Sequence, residues 1–219
     1  MADFRPHYLA MSALVNEDFP IEERLSKAGA VKRTEEDYSE YVMGKEQEQE
    51  AYSQYYLIQH NSSSKKTEVI HLGSQLGDDQ RDLQVQATDP FTAMQNFQKL
   101  GFEQLLERQV RSTTYRMKGF DVRLLNPTQG SSFLEVAKHV TSQADEDHSR
   151  EAMAKIFSSL GLPTESLFQG TALQFLLQVM LQQMQDGRPG DAEASELPSE
   201  EDVTDLEEQE EGKDKESLF

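Results

Sequence analysis

Apolar and polar positions divide the chain into short extended runs broken by amphipathic helical stretches. His7–Val15 (HYLAMSALV) predicts a first strand. A short helix opens at Pro20 with Glu22 and Glu23 in its first turn, and Gly29 ends it. Residues 37–43 (DYSEYVM) and 51–60 (AYSQYYLIQH), rich in tyrosine and other strand formers, predict two strands. The polar run 61–66 (NSSSKK) predicts a hairpin loop, and 67–72 (TEVIHL) its return strand.

Residues 80–86 (QRDLQVQ) alternate with the period of a strand that has one wet face. Thr88, Asp89 and Pro90 launch a helix whose stripe is Phe91, Met94, Phe97 and Leu100, and Gly101 stops it. Three consecutive strands follow over 105–115, 117–125 and 132–141, separated by turns at Lys118-Gly119 and at 126–130 (NPTQG). Residues 145–160 predict a second helix with Ala152, Ile156, Phe157 and Leu160 on its apolar side, and 166–184 a third. The pattern predicts an α+β chain of about eight strands, with helices inserted between strand groups and a C-terminal helix. Many short strands in one antiparallel set favour a closed β-barrel, because closure removes sheet edges.

Charge changes this picture mainly at the C-terminal end. The chain has 219 residues and a net charge of -19, and residues 191–219 hold thirteen acids against two lysines. Such a segment carries too little apolar surface to offset ordering entropy, so the expected organisation is a domain over 1–185 and an acidic disordered tail over 186–219. The acidic balance disfavours general nucleic-acid binding and anionic membranes. There is no cysteine, which excludes disulfides and thiolate chemistry. The first twenty residues lack an apolar signal core, and no run reaches the length of a membrane helix. The expected location is therefore cytoplasmic or nuclear rather than secreted.

Three groups of residues carry a resemblance. Gly29-Ala30 precedes Asp37-Tyr38. Arg81 in QRDLQV precedes Asp89, a helix and Leu100-Gly101-Phe102. Residues 130–136 (GSSFLEV) precede a helix, Leu160-Gly161-Leu162 and 173–177 (LQFLL). In this order and spacing, over 4–178, the chain resembles the CYTH superfamily, the triphosphate-tunnel fold of class IV adenylyl cyclases, thiamine triphosphatases and inorganic tripolyphosphatases. The resemblance implies a barrel whose inward lysines and arginines bind a triphosphate, with carboxylates holding magnesium. Its signature positions depart from that chemistry. The opening Glu-x-Glu-x-Lys falls on His7, Leu9 and Met11, and the Arg-x-Arg strand on 51–59, which has no basic residue. The lysine strand offers only His71. Arg81 is kept with Leu83 and Val85 in place of acids, and Glu135 is kept with Ala137 as its partner.

The resemblance leaves Arg81, Arg108, Arg111 and Arg123 as candidate ligand-binding residues and Glu135 as the candidate metal ligand, with no catalytic residue assigned. Strand parity places Arg108 with Ser112 and Arg111 with Tyr115, on opposite faces. A solvated strand face is the plain reading of the basic stretch 108–123, and an ion pair with a nearby arginine that of Glu135. The stripe Leu173, Leu176, Leu177, Met180, Leu181 and Met184 suits packing on the chain's own barrel, or a partner's groove. The five histidines form no triad, and no phosphate-binding glycine loop is present.

The expected function is a non-catalytic CYTH-like barrel that binds protein partners as a scaffold subunit and needs no cofactor. The alternative is a divergent magnesium-dependent triphosphate hydrolase or nucleotidyl cyclase acting on a triphosphate-bearing small molecule. In a helix carrying Leu100-Gly101-Phe102 ahead of a basic strand pair, the chain also resembles a triphosphatase-type barrel of the Mediator head that works by protein contacts, a likeness of fold that assigns no function.

Overall fold

The computed structural model describes residues 7–47, 50–72 and 84–185. The chain divides into a unit spanning Met1–Gln182 and a second, Gln183–Phe219, of which only the first three residues are described. The acidic stretch from 186 onward lies outside the described residues. None of the described helices is long and apolar enough to cross a membrane.

Eight strands form one antiparallel sheet: β1 (His7–Val15), β2 (Val31–Gln47), β3 (Glu50–Asn61), β4 (Thr67–His71), β5 (Gln84–Ala87), β6 (Glu103–Met117), β7 (Phe120–Pro127) and β8 (Ser132–Val140). Their spatial order is β1-β8-β7-β6-β2-β3-β4-β5. The expected closed hydrogen-bonded barrel needs one correction. Among the described residues β1 and β5 end the sheet without pairing to each other, so there it wraps around a lumen but is not closed by hydrogen bonds. The outer edge of β1 is taken at one point by Phe168, whose backbone exchanges two hydrogen bonds with Ser12 (3.0 and 2.8 Å). A strand addition by the segment before the last helix thus blunts that edge.

Side-chain parity sorts the two faces of the sheet. Outward residues of β1, β6, β7 and β8, among them Leu9, Met11, Val122 and Leu134, pack with Met153, Ile156 and Phe157 of α3 (Gln143–Ser159) and Leu25 of α1 (Ile21–Lys27). Met43, Ile58 and Phe102, from the outward face of the other half-sheet and its flank, pack with Ala93 of α2 (Pro90–Lys99). The inward face meets α4 (Ala172–Gln185), whose Leu173, Leu177 and Leu181 pack on Val42, Tyr55 and Leu57.

The caps follow from sequence. Asp89 accepts from the Thr92 amide (2.8 Å) and Ser142 from the Asp145 amide (3.2 Å), starting α2 and α3. Thr171 and Gln174 form a reciprocal capping box: the Thr171 amide donates to Gln174 Oε1 (2.7 Å) and the Gln174 amide to Thr171 Oγ1 (3.2 Å). This box sets the start of α4 at Ala172 instead of 166; the preceding residues hold only a short 3-10 turn over Thr164–Ser166. On α2 the buried face is Ala93 with Met94 and Phe97, while Phe91 and Leu100 are exposed. The expected stripe was rotated, since Phe91 lies off the Ala93-Phe97 line and Leu100 stands beyond the last turn.

Candidate functional site

The lumen is lined by alternate residues of β2, β3, β4, β6, β7 and β8 and by the start of α4, around a cavity of about 150 Å³. Its floor consists of cross-strand pairs. Arg108 of β6 stands directly opposite Glu40 of β2, and Glu40 opposite Gln59 of β3. Arg108 Nε donates to Glu40 Oε2 at 2.7 Å, and Gln59 Nε2 donates to Glu40 Oε1 at 2.8 Å. Both oxygens of this buried carboxylate are therefore engaged. Arg123 of β7 likewise stands opposite Glu135 of β8. The Arg123 guanidinium donates to Glu135 Oε1, and the Ala172 amide at the start of α4 donates to Glu135 Oε2 at 3.2 Å. Glu135 is 2 % exposed, so charge-assisted bonds of this kind offset a desolvation that would otherwise be costly.

At the hairpin end of the lumen, Tyr38 donates its hydroxyl to Glu36 at 2.6 Å, and Asn61 Nδ2 donates to the other oxygen of Glu36 at 3.0 Å. Burial, followed by the bond to Glu36, pushes the Tyr38 phenol up to about 12. Asn61 in turn accepts from the amides of Ser63 and Ser64 (3.0 and 2.8 Å), which fixes the 61–66 loop.

These contacts locate the residues singled out from sequence. Arg108, Arg123 and Glu135 share the lumen wall. Arg111 is turned to the opposite face, as parity predicts, and bonds Asp37 at 2.9 Å among exposed groups. Arg81 lies outside the described residues. All four arginines of the β6–β7 hairpin face an acid directly across a strand: Arg108 with Glu40, Arg111 with Asp37, Arg116 with Asp121 and Arg123 with Glu135. The basic stretch is therefore neither one continuous patch nor wholly solvated, because Arg108 and Arg123 turn inward.

Three further points differ from the sequence reading. The residues matched to the opening motif are on the wrong side of β1: Leu9 and Met11 pack outward in the core under α1 and α3. The inward positions are Ala10 and Ser12, with Ser12 opposite Glu135. The face was ambiguous because β1 is apolar on both sides. Val85 is exposed and pairs with the outward-facing Val69, and His71 stacks on Tyr56 with ring centroids 4.9 Å apart. Glu40 was overlooked. Its signal was an acid set two residues from Tyr38 and Val42 in an otherwise apolar alternation. Among the described residues no three His, Asp or Glu side chains gather in a metal-binding group.

No protein-family model and no curated protein sequence matches the chain. Solved structures do match. A candidate adenylate cyclase from Vibrio parahaemolyticus superposes with a TM-score of 0.63 at 11% identity, covering 78% of this chain and 97% of that one. A candidate adenylyl cyclase from Hippeastrum with a dominant triphosphatase activity gives 0.51 at 9% identity, covering 84% and 97%. A chain of the Schizosaccharomyces pombe Mediator head module gives 0.51 at 13% identity, covering 70% and 94%. The chain has the CYTH, or triphosphate-tunnel, fold.

Proposed function

We propose that this chain is a CYTH-fold protein without triphosphate turnover, acting through protein contacts as a subunit of a larger assembly. The observation that carries this reading is that the two carboxylates lining the lumen cavity, Glu40 and Glu135, are each neutralised by an arginine directly across the sheet. A polyphosphate needs surplus positive charge, whereas Arg108 and Arg123 here are balanced by Glu40 and Glu135. Magnesium needs several free oxygen ligands in octahedral geometry. The oxygens of Glu40 already accept from Arg108 and Gln59, and those of Glu135 from Arg123 and Ala172. The described residues therefore do not fit a hydrated magnesium ion. Leucines of α4 on the inward face add to the packed character of the site. The Mediator likeness supports the use of this fold inside an assembly, at the level of fold alone. Sedimentation of the native chain from its own cells tests the reading. It should travel in a salt-resistant complex far heavier than 24.9 kDa; recovery only as a monomer would contradict it.

The second reading is a divergent triphosphate hydrolase or nucleotidyl cyclase. The Vibrio and Hippeastrum structures favour it, since their described chemistry supports it better than it supports a scaffold role. On that reading Arg108 and Arg123 exchange their carboxylate partners for phosphate oxygens when substrate enters. Triphosphate-dependent stabilisation of the purified protein, together with product release, would support it.

A further inference from the structure

Arg108 belongs to two cavities. Besides the polar lumen it lines a second, more open space of about 730 Å³ at the mouth of the barrel, whose walls include Leu14, Leu106, Phe133, Phe175 and Leu176. Phe133 and Phe175 meet edge to face with centroids 5.8 Å apart, which makes a rigid apolar wall. Leu14, on the end of β1, is 46 % exposed beside it. The Arg108 guanidinium uses Nε for Glu40, and among the described residues its two terminal nitrogens have no hydrogen-bond partner. With 11 % of its side chain exposed, Arg108 borders both the polar lumen and the apolar mouth. Ligand sites are typically concave, apolar and of a few hundred Å³, with a small number of polar groups that fix orientation. Glu107 also lines this mouth and is exposed, bonded to Gln104 at 3.1 Å. Its charge and the acidity of the whole chain disfavour a highly charged ligand.

We propose that this mouth binds an amphiphilic monoanion, a medium-chain carboxylate whose head bonds the terminal nitrogens of Arg108 and whose chain lies among Leu14, Leu106, Phe133, Phe175 and Leu176. This goes beyond the assembly role and does not depend on it. The apolar wall supplies affinity, and the open end of one guanidinium sets direction.

Calorimetric titration of the full chain with hexanoate, octanoate and decanoate, each below its micelle-forming range, tests the site, with octanol and inorganic phosphate as comparisons. The expected affinity rises roughly three- to fourfold per methylene. Octanol should bind at least about tenfold more weakly than octanoate, the loss of one charge-assisted contact, and phosphate should not bind. Leu14→Asp, at a partly exposed position, should weaken octanoate at least about tenfold through apolar loss and like charge. Because Arg108→Met alone leaves Glu40 buried without its arginine, the anchor is tested in the double variant Glu40→Leu/Arg108→Met, which should bind octanoate no better than octanol. Equal binding of octanoate and octanol to the unaltered protein, independence of chain length, indifference to Leu14→Asp, phosphate binding as tight as octanoate, or no binding at all would each overturn the proposal.

Discussion

Replacing Arg108 by Met leaves Glu40 inside the lumen with only Gln59 as a hydrogen-bond donor. Glu40 is 5 % exposed, and removing one member of a buried ion pair ordinarily costs about 3–5 kcal/mol. The remaining 2.8 Å bond from Gln59 places the expected loss at the lower end, about 3 kcal/mol. For a domain of this size that is a fall in Tm of roughly 6–12 °C. Glu40→Leu alone strands the less deeply buried guanidinium and should cost about 2 kcal/mol. The double variant Glu40→Leu/Arg108→Met replaces the pair with apolar groups beside Val42, Leu57 and Leu173, so it should lie within about 1 kcal/mol of the unaltered protein. Urea unfolding followed by far-ultraviolet circular dichroism, with m-values compared across the four proteins, gives the coupling energy. Strictly additive single effects, or single variants as stable as the parent, would show that the pair is not a structural unit of the lumen.

Gly161 sits at φ +79°, and a Cβ there would collide with the Arg24 guanidinium, which donates to the Leu160 carbonyl at 2.9 Å. Gly161→Ala should therefore cost at least about 1 kcal/mol in thermal unfolding, and Arg24→Met should make the glycine replacement less harmful. The bond from Lys138 holds the Asp145 carboxyl below its ordinary range, and the bonds from Thr92 do the same for Asp89. A depressed folded value means that this stabilisation is complete above the unfolded carboxylate range near ~4 and is lost as pH falls through the lower folded values. Asp89→Asn, which keeps an N-cap side chain, should flatten the acid limb of a stability-versus-pH curve; an unchanged limb would count against the cap. Tyr38 has the opposite sign: its raised value favours the neutral phenol, a contribution present below ~10 and lost as pH rises through about 12. Phenolate absorbance should show a component at that midpoint which Tyr38→Phe removes.

The turns and the Asp89 cap were the most legible features of this chain because their chemistry is local, whereas the caps at Ser142 and Thr171 went unread. Lys118 and Gly119 both adopt positive φ in the β6–β7 turn, and Asn61 caps its own loop. The length of β2 was not legible. Its first half, with Lys32, Arg33, Thr34, Glu35 and Glu36, shows no apolar alternation, and is held as a strand by its long ladder with β6. The inward face of β1 was hidden for the reverse reason, since nearly every residue from Leu9 to Val15 is buried and period two carries no contrast. Within the site, Glu135 was visible as an isolated acid on an apolar strand, and Arg108 and Arg123 as members of one basic stretch. Glu40 was not, because its partner lies 68 residues away and only the register of β2 against β6 brings them together. The same register gives the basic stretch its meaning: four arginines placed one by one against acids.

Incubation of the purified full chain with magnesium and tripolyphosphate or thiamine triphosphate, with release of inorganic phosphate followed over time, tests the central claim most directly. The account predicts release no faster than from a heat-inactivated sample, with no rise in Tm on adding the triphosphate. Magnesium-dependent release that Glu135→Ala or Arg123→Met abolishes, in variants that remain folded, would contradict it and establish the second reading.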